Sequence, residues 1–82
     1  MINVYFYGSL RALMKTSQMK YPANSVKDLI EIIHNDTGIF CKRELKNAIT
    51  FVNDVNFLKL KRYKTPLEAG DKVTFLSPAS GG

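Results

Sequence analysis

The residues best suited to chemistry stand at the end of the chain, Pro78-Ala79-Ser80-Gly81-Gly82, directly after the apolar run Val73-Thr74-Phe75-Leu76, which reads as a final β-strand. Glycine loses more backbone entropy on ordering than any other residue and has no side chain to pack, so a Gly-Gly terminus adds nothing to stability. Two residues without Cβ atoms do make a slender, deformable thread that can place the Gly82 carboxylate in a narrow active site. Gly82 is then the reactive residue, and Gly81, Ser80, Ala79 and Pro78 are the residues threaded behind it. Pro78 fits this role because it ends β-ladder pairing where the tail, read as residues 77–82, begins. The competing reading is a frayed end or a trimming remnant, and the Gly-Gly pair alone does not separate the two.

Other candidates are weaker. His34, the one histidine, falls at the end of a helical pattern, where a cation suits the helix dipole and a surface cap is the default reading. Cys41 follows an apolar pair and reads as a small buried hydrophobe; Lys42 and Arg43 beside it are a weak signal for a reactive thiolate. Ser80 has no base partner marked in the sequence and reads as a spacer. Gly8-Ser9 lacks the further glycines and the Lys-Ser or Lys-Thr that a phosphate loop requires.

With 82 residues and 45% hydrophobic content, the chain reads as one small globular domain with little room for a deep cleft, so function is expected at a surface or an end. The single cysteine excludes an internal disulfide, no Cys/His spacing suits a metal, and no bound cofactor is expected. No signal segment and no apolar run long enough to span a bilayer is evident, which gives the expectation of a cytoplasmic protein. The net charge of +5 gathers in Lys42, Arg43 and Lys46 and in Lys59, Lys61, Arg62 and Lys64. Such groups are more often a solvated face or an edge-strand guard than a nucleic-acid site, and they suit an acidic protein partner equally well.

The elements that must carry the tail follow from periodicity. Ile2 to Tyr7 alternates, with Ile2, Val4 and Phe6 on one face and Asn3, Tyr5 and Tyr7 on the other. After Gly8-Ser9, residues 10–15 suit a short helix with Leu10, Leu13 and Met14 inward, and residues 17–21 a second strand ended by Pro22. Ser25 reads as the N-cap of an amphipathic helix over 26–35, with Val26, Leu29, Ile30 and Ile33 inward and a stop near Thr37-Gly38. Residues 39–47 favour a short second helix. Residues 48–53 and 57–61 read as a hairpin turned at Asn53-Asp54, with Leu58 and Leu60 facing the core. Residues 66–71 are a turn or 3₁₀ segment before the last strand, 72–76.

One apolar helix stripe and about five strands imply an α+β fold, a mixed sheet covered on one face by one main helix with short helical segments beside it. This is the β-grasp, or ubiquitin-like, arrangement, with the first and last strands parallel at the sheet centre and the helix in the crossover between them. Tyr5, Tyr7 and Leu76 then project from the uncovered face beside the tail, forming an aromatic and apolar patch suited to docking a protein partner.

Four blocks resemble the MoaD/ThiS sulfur-carrier family: the segment from Ile2 through Gly8-Ser9-Leu10-Arg11, Val52-Asn53-Asp54, the run from Pro66 through Leu67-Glu68-Ala69-Gly70-Asp71 to Phe75, and the end Pro78-Ala79-Ser80-Gly81-Gly82. The likeness covers nearly the whole chain and is nearer to MoaD, the small subunit of molybdopterin synthase. It implies that an ATP- and Mg-dependent adenylyltransferase of the MoeB/ThiF type activates Gly82 and that a sulfur donor enzyme converts the acyl-adenylate to a thiocarboxylate. A MoaE-like large subunit would then accept the tail and supply the substrate pocket. The chain departs from MoaD-like tails, which often carry an aromatic or apolar residue before two prolines, in reading Leu76-Ser77-Pro78-Ala79-Ser80. The alternatives are a ThiS-like carrier for thiamin thiazole synthesis, a carrier for tRNA thiolation, a modifier conjugated through Gly82, and a noncatalytic docking module.

Overall fold

The computed structural model describes residues 1–38 and 40–77, with the side chains of Phe40 and Cys41 also outside the description. Its elements run β1 (Ile2–Tyr7), α1 (Ser9–Met14), β2 (Gln18–Tyr21), α2 (Val26–Thr37), α3 (Phe40–Asn47), β3 (Ile49–Val52), β4 (Val55–Asn56) and β5 (Lys72–Leu76), with 3₁₀ turns at Phe57–Lys59 and Arg62–Lys64. Among the described residues the strands form one five-stranded sheet in the order β2-β1-β5-β3-β4. Strands β1 and β5 are parallel at its centre, Val4 opposite Val73 and Phe6 opposite Phe75, and the other pairings are antiparallel. This is the β-grasp architecture expected from the order of elements.

Helix α2 forms because its apolar residues recur on one face and its ends are capped. The Ser25 Oγ accepts the Asp28 N–H at 3.1 Å, and the Asp28 carboxylate accepts the N–H of Asn24, the residue before the cap, at 3.0 Å, so two backbone donors at the helix start are satisfied. At the other end the Gly38 N–H donates to the His34 carbonyl at 2.9 Å. The buried stripe of Val26, Leu29, Ile30 and Ile33 lies on the face of the sheet made by Ile2, Val4, Phe6, Val73 and Phe75. Phe6 and Phe75 stack across the parallel pair with ring centroids 6.0 Å apart. Leu45 anchors α3 in the same core, and Glu31 of α2 meets Lys42 of α3 at 2.7 Å.

Two expectations are corrected. Residues 57–61 are not a strand: β4 is two residues long, and the Asn56 side chain then accepts the Leu58 N–H at 2.9 Å, starting a 3₁₀ turn. Phe57 enters the core edge-on to Tyr63, with centroids 5.2 Å apart, which leaves Leu58 and Leu60 58% and 41% exposed instead of inward. The hairpin turn itself is as read, since Asn53 and Asp54 both take positive φ, 50° and 68°, the geometry of a two-residue turn matched to strand twist. Leu13 is exposed, because α1 ends at Met14 and only Leu10 is fully covered, with Met14 packed partly against the core. Residues 66–71 contain the expected turn, at Ala69-Gly70, with an isolated bridge from Pro66 to Ser25, and the 3₁₀ turns fall earlier in the chain.

Candidate functional site

The face of the sheet away from α2 is set by alternation along the three central strands. Tyr5 and Tyr7 of β1 point there, as do Lys72, Thr74 and Leu76 of β5 and Ile49 and Phe51 of β3, because their neighbours Phe6, Val73, Phe75, Thr50 and Val52 are buried on the other side. The register aligns them in rows: Tyr7, Leu76 and Ile49 in one, Tyr5, Thr74 and Phe51 in the next. Tyr7 is 45% exposed and Ile49 38%, with Leu76 and Phe51 half-buried between strands. The sequence-derived trio Tyr5, Tyr7 and Leu76 is therefore brought together, and Ile49 and Phe51 extend it.

Ile49 and Phe51 were missed because polar Thr50, placed between them, is the inward residue. Their alternation with Thr50 and Val52 was the available signal, since apolar residues on both faces of a strand mark a second covered surface. The patch has a charged border. Lys72 Nζ lies 5.5 Å from the Tyr5 ring centroid, within cation–π range, and 3.1 Å from Asp54 Oδ1. The hydrogen bond and charge of Asp54 raise the Lys72 pKa, keeping this ammonium protonated.

The base of the tail lies at the edge of this patch. Ser77, the last described residue, is 8% exposed and donates its N–H to the Tyr7 carbonyl at 3.4 Å. Its Oγ accepts the Ser9 N–H at 2.8 Å and lies 2.7 Å from Ser9 Oγ, where either hydroxyl can donate. Gly8 makes this approach feasible: at φ 70° and ψ −146°, a Cβ there would stand 2.8 Å from Ser77 Oγ and 2.9 Å from Ser77 O. Pro78, Ala79, Ser80, Gly81 and Gly82, the residues assigned to threading and reaction, lie outside the described residues.

The remaining sequence candidates gather no catalytic constellation. His34 is half-buried rather than a surface cap, with its Nδ1 enclosed and without a hydrogen-bond partner among the described residues. Cys41 lies outside the described side chains. Among the described residues no three His, Cys, Asp or Glu side chains group as metal ligands, and no helix is long and apolar enough to cross a membrane. A groove of about 670 Å³ beside β4 includes Glu68 and Asp71 in its lining, but the Asp71 carboxylate is already used, accepting the Glu68 N–H at 2.8 Å and the Asn53 amide at 3.2 Å. Of the basic group, Lys59, Lys61, Arg62 and Lys64 are all exposed at or beyond the β4 edge, the position that blunts edge pairing.

Residues 4–82 match the model of the ThiS family. No curated protein sequence matches the chain. Among solved structures, the small archaeal modifier protein 1 from Methanosarcina acetivorans superposes with a TM-score of 0.86 at 18% identity, covering 99% of this chain and 95% of that one. The BexX/CysO complex of Amycolatopsis orientalis contains a chain that superposes with a TM-score of 0.84 at 17% identity, covering 100% of both. At these identities the likeness speaks for the fold. A chain in the complex of subunits 1 and 2 of molybdopterin-converting factor from Helicobacter pylori 26695 is 27% identical, with a TM-score of 0.69 over 99% of this chain and 97% of that one. With a family match running nearly end to end on a ubiquitin-like β-grasp sheet, the chain belongs to the ThiS family of ThiS/MoaD-like sulfur carriers.

Proposed function

We propose that the chain is a sulfur carrier whose Gly82 is loaded as a thiocarboxylate and serves as the small subunit of a molybdopterin synthase. The observation that carries this reading is the family match, which extends through Gly81 and Gly82 and so includes the reactive end. The 27% identity to a chain of the molybdopterin-converting factor complex favours the molybdopterin branch.

The chemistry follows from the carboxylate. A carboxylate resists nucleophiles because of its negative charge, and its oxygen must first become part of a good leaving group. A Gly82 carboxylate oxygen attacks the α-phosphorus of ATP, expelling pyrophosphate and forming an acyl-adenylate. Sulfide-level sulfur (HS⁻) supplied by a donor enzyme then attacks the Gly82 carbonyl carbon; the C–S bond forms, the C–O bond to AMP breaks, AMP departs, and loss of the remaining S–H proton leaves the thiocarboxylate. ATP and Mg are assigned in this reading to the adenylyltransferase of the MoeB/ThiF type; the sequence of this chain carries no Gly-rich loop running into Lys-Ser or Lys-Thr. The Tyr5, Tyr7, Ile49 and Leu76 patch is the surface for docking that enzyme and, in turn, a MoaE-like large subunit. Two of the neighbours come from structures of protein complexes, which supports a partner-dependent role.

The second reading, a modifier conjugated through Gly82, is favoured by the likeness to small archaeal modifier protein 1. One experiment separates them. The protein is incubated with an activating enzyme, Mg-ATP and a sulfur donor, and its intact mass is measured with fragmentation of the tail. Exchange of one oxygen for one sulfur at Gly82 is the expected result. An unchanged mass, with the activating enzyme shown competent on another carrier, refutes the carrier reading. Conversion of a pterin precursor after adding a MoaE-like subunit tests the molybdopterin branch, and loss of that conversion on deleting Gly82, with the fold intact, is expected.

A further inference from the structure

Helix α1 has an unusual start. Its N-cap is Gly8, which has no side chain to accept a helix N–H, and the acceptor for the Ser9 N–H is instead Ser77 Oγ, 68 residues away in sequence. A helix this short would ordinarily be capped by a local Ser, Thr, Asp or Asn. Here the local position is a glycine whose backbone lies in a region that L side chains rarely adopt, and the space where its Cβ would stand is filled by Ser77. The cap has been delegated to the residue that borders the tail. Ser77 is consequently held three times, by the Tyr7 carbonyl, the Ser9 N–H and the Ser9 hydroxyl.

That arrangement exceeds what stabilising α1 requires. It ties the end of β5 to the turn leaving β1, next to Tyr7 and Leu76 of the docking patch. Resting on the carrier reading above, we infer that Ser9 and Ser77 are positioning residues for the reactions of Gly82: they set the point and direction from which the last five residues depart relative to the docked partner. Five residues reach at most about 18 Å when extended, so the anchor bounds where the Gly82 carboxylate can be presented. Releasing Ser77 adds one backbone residue whose conformation is to be fixed when Gly82 is presented to an active site. The loss falls on binding of the tail and not on the chemical step.

The test is ATP–pyrophosphate exchange by a competent activating enzyme, with KM for the carrier and kcat measured separately. Ser77→Ala removes both hydroxyl contacts and is expected to raise KM about tenfold, roughly the penalty for ordering one more backbone residue, with kcat within about twofold. Ser9→Ala keeps the N–H contact and removes the hydroxyl pair, with an expected rise of about threefold, the size of one ordinary hydrogen bond. Ser77→Thr restores the hydroxyl and is expected to recover most of the lost KM. Thermal melting of each variant is recorded alongside. A lower melting temperature with KM unchanged in both alanine variants would mark a merely structural cap and overturn the inference. So would Ser77→Thr as defective in KM as Ser77→Ala. Should Ser77→Ala not fold, Ser9→Ala decides, since α1 keeps its cap in that variant. Absence of exchange with the wild-type protein would instead refute the carrier reading itself.

Discussion

Substituting Gly8 by alanine tests the junction between tail and sheet most directly. Two penalties combine. An L side chain held at φ 70° and ψ −146° sits in a sparsely populated backbone region, at about 1–3 kcal/mol. Its Cβ also meets Ser77 Oγ at 2.8 Å and, less avoidably, the Ser77 carbonyl oxygen at 2.9 Å, so strand β5 must shift, at about 1–3 kcal/mol for an overpacked site. Gly8→Ala is therefore expected to cost about 2–6 kcal/mol against a total of about 4–12 kcal/mol for a domain of this length. Gly70 supplies the internal control, since its φ is 91° but a Cβ there meets nothing within 4 Å. Gly70→Ala should carry the backbone penalty alone, about 1–3 kcal/mol. Urea unfolding followed by far-ultraviolet circular dichroism and tyrosine fluorescence, in a chain with four tyrosines and no tryptophan, measures both. For Gly8→Ala the midpoint should fall by about 2 M or more with an unchanged denaturant slope. A loss no larger than that of Gly70→Ala would refute the steric reasoning and, with it, the close seat of Ser77 against Gly8.

Thr50 is 1% exposed and its hydroxyl has no partner among the described residues, so Thr50→Val, which keeps the β-branched shape, should stabilise the protein by about 1–2 kcal/mol in the same unfolding assay; a destabilised variant would show that the hydroxyl is satisfied. Ile49→Glu places a charge in the exposed row proposed for docking, beside Leu76, and should weaken binding to the activating enzyme by about tenfold or more, while the melting temperature moves little; unaltered affinity by calorimetry would remove this face from the proposed interface. The hydrogen bond from Lys42 holds the Glu31 carboxyl below its ordinary value near 4.5, which means this pair stabilises the fold above that pH and ceases to do so as pH falls through the lowered value. The difference in melting temperature between wild type and Glu31→Gln should accordingly shrink toward zero as pH falls through that lowered value and with added salt; a difference independent of pH would contradict the pairing of α2 with α3.

Much of this fold is written in short-range pattern. The alternation of Ile2 to Tyr7, the Ser25 cap, the stripe of Val26, Leu29, Ile30 and Ile33, and the turn chemistry of Asn53-Asp54 each follow from neighbours within a few residues, and the order of those elements suffices for a β-grasp sheet. The Gly-Gly end is likewise legible, because residues that add nothing to packing call for another explanation. Local pattern misled where two local solutions compete: Leu58-Lys59-Leu60-Lys61 alternates as a strand should, yet Phe57 gains more by turning into the core against Tyr63, and the leucines are left outside. The burial of Thr50 between outward Ile49 and Phe51 depends on the register with β5, which no local window contains. The hold of Ser9 on Ser77 joins positions 68 apart in the chain. Periodicity encodes which face of an element is apolar; which distant residues meet across the sheet is decided by strand order and register, and these emerge from burial of the whole core at once.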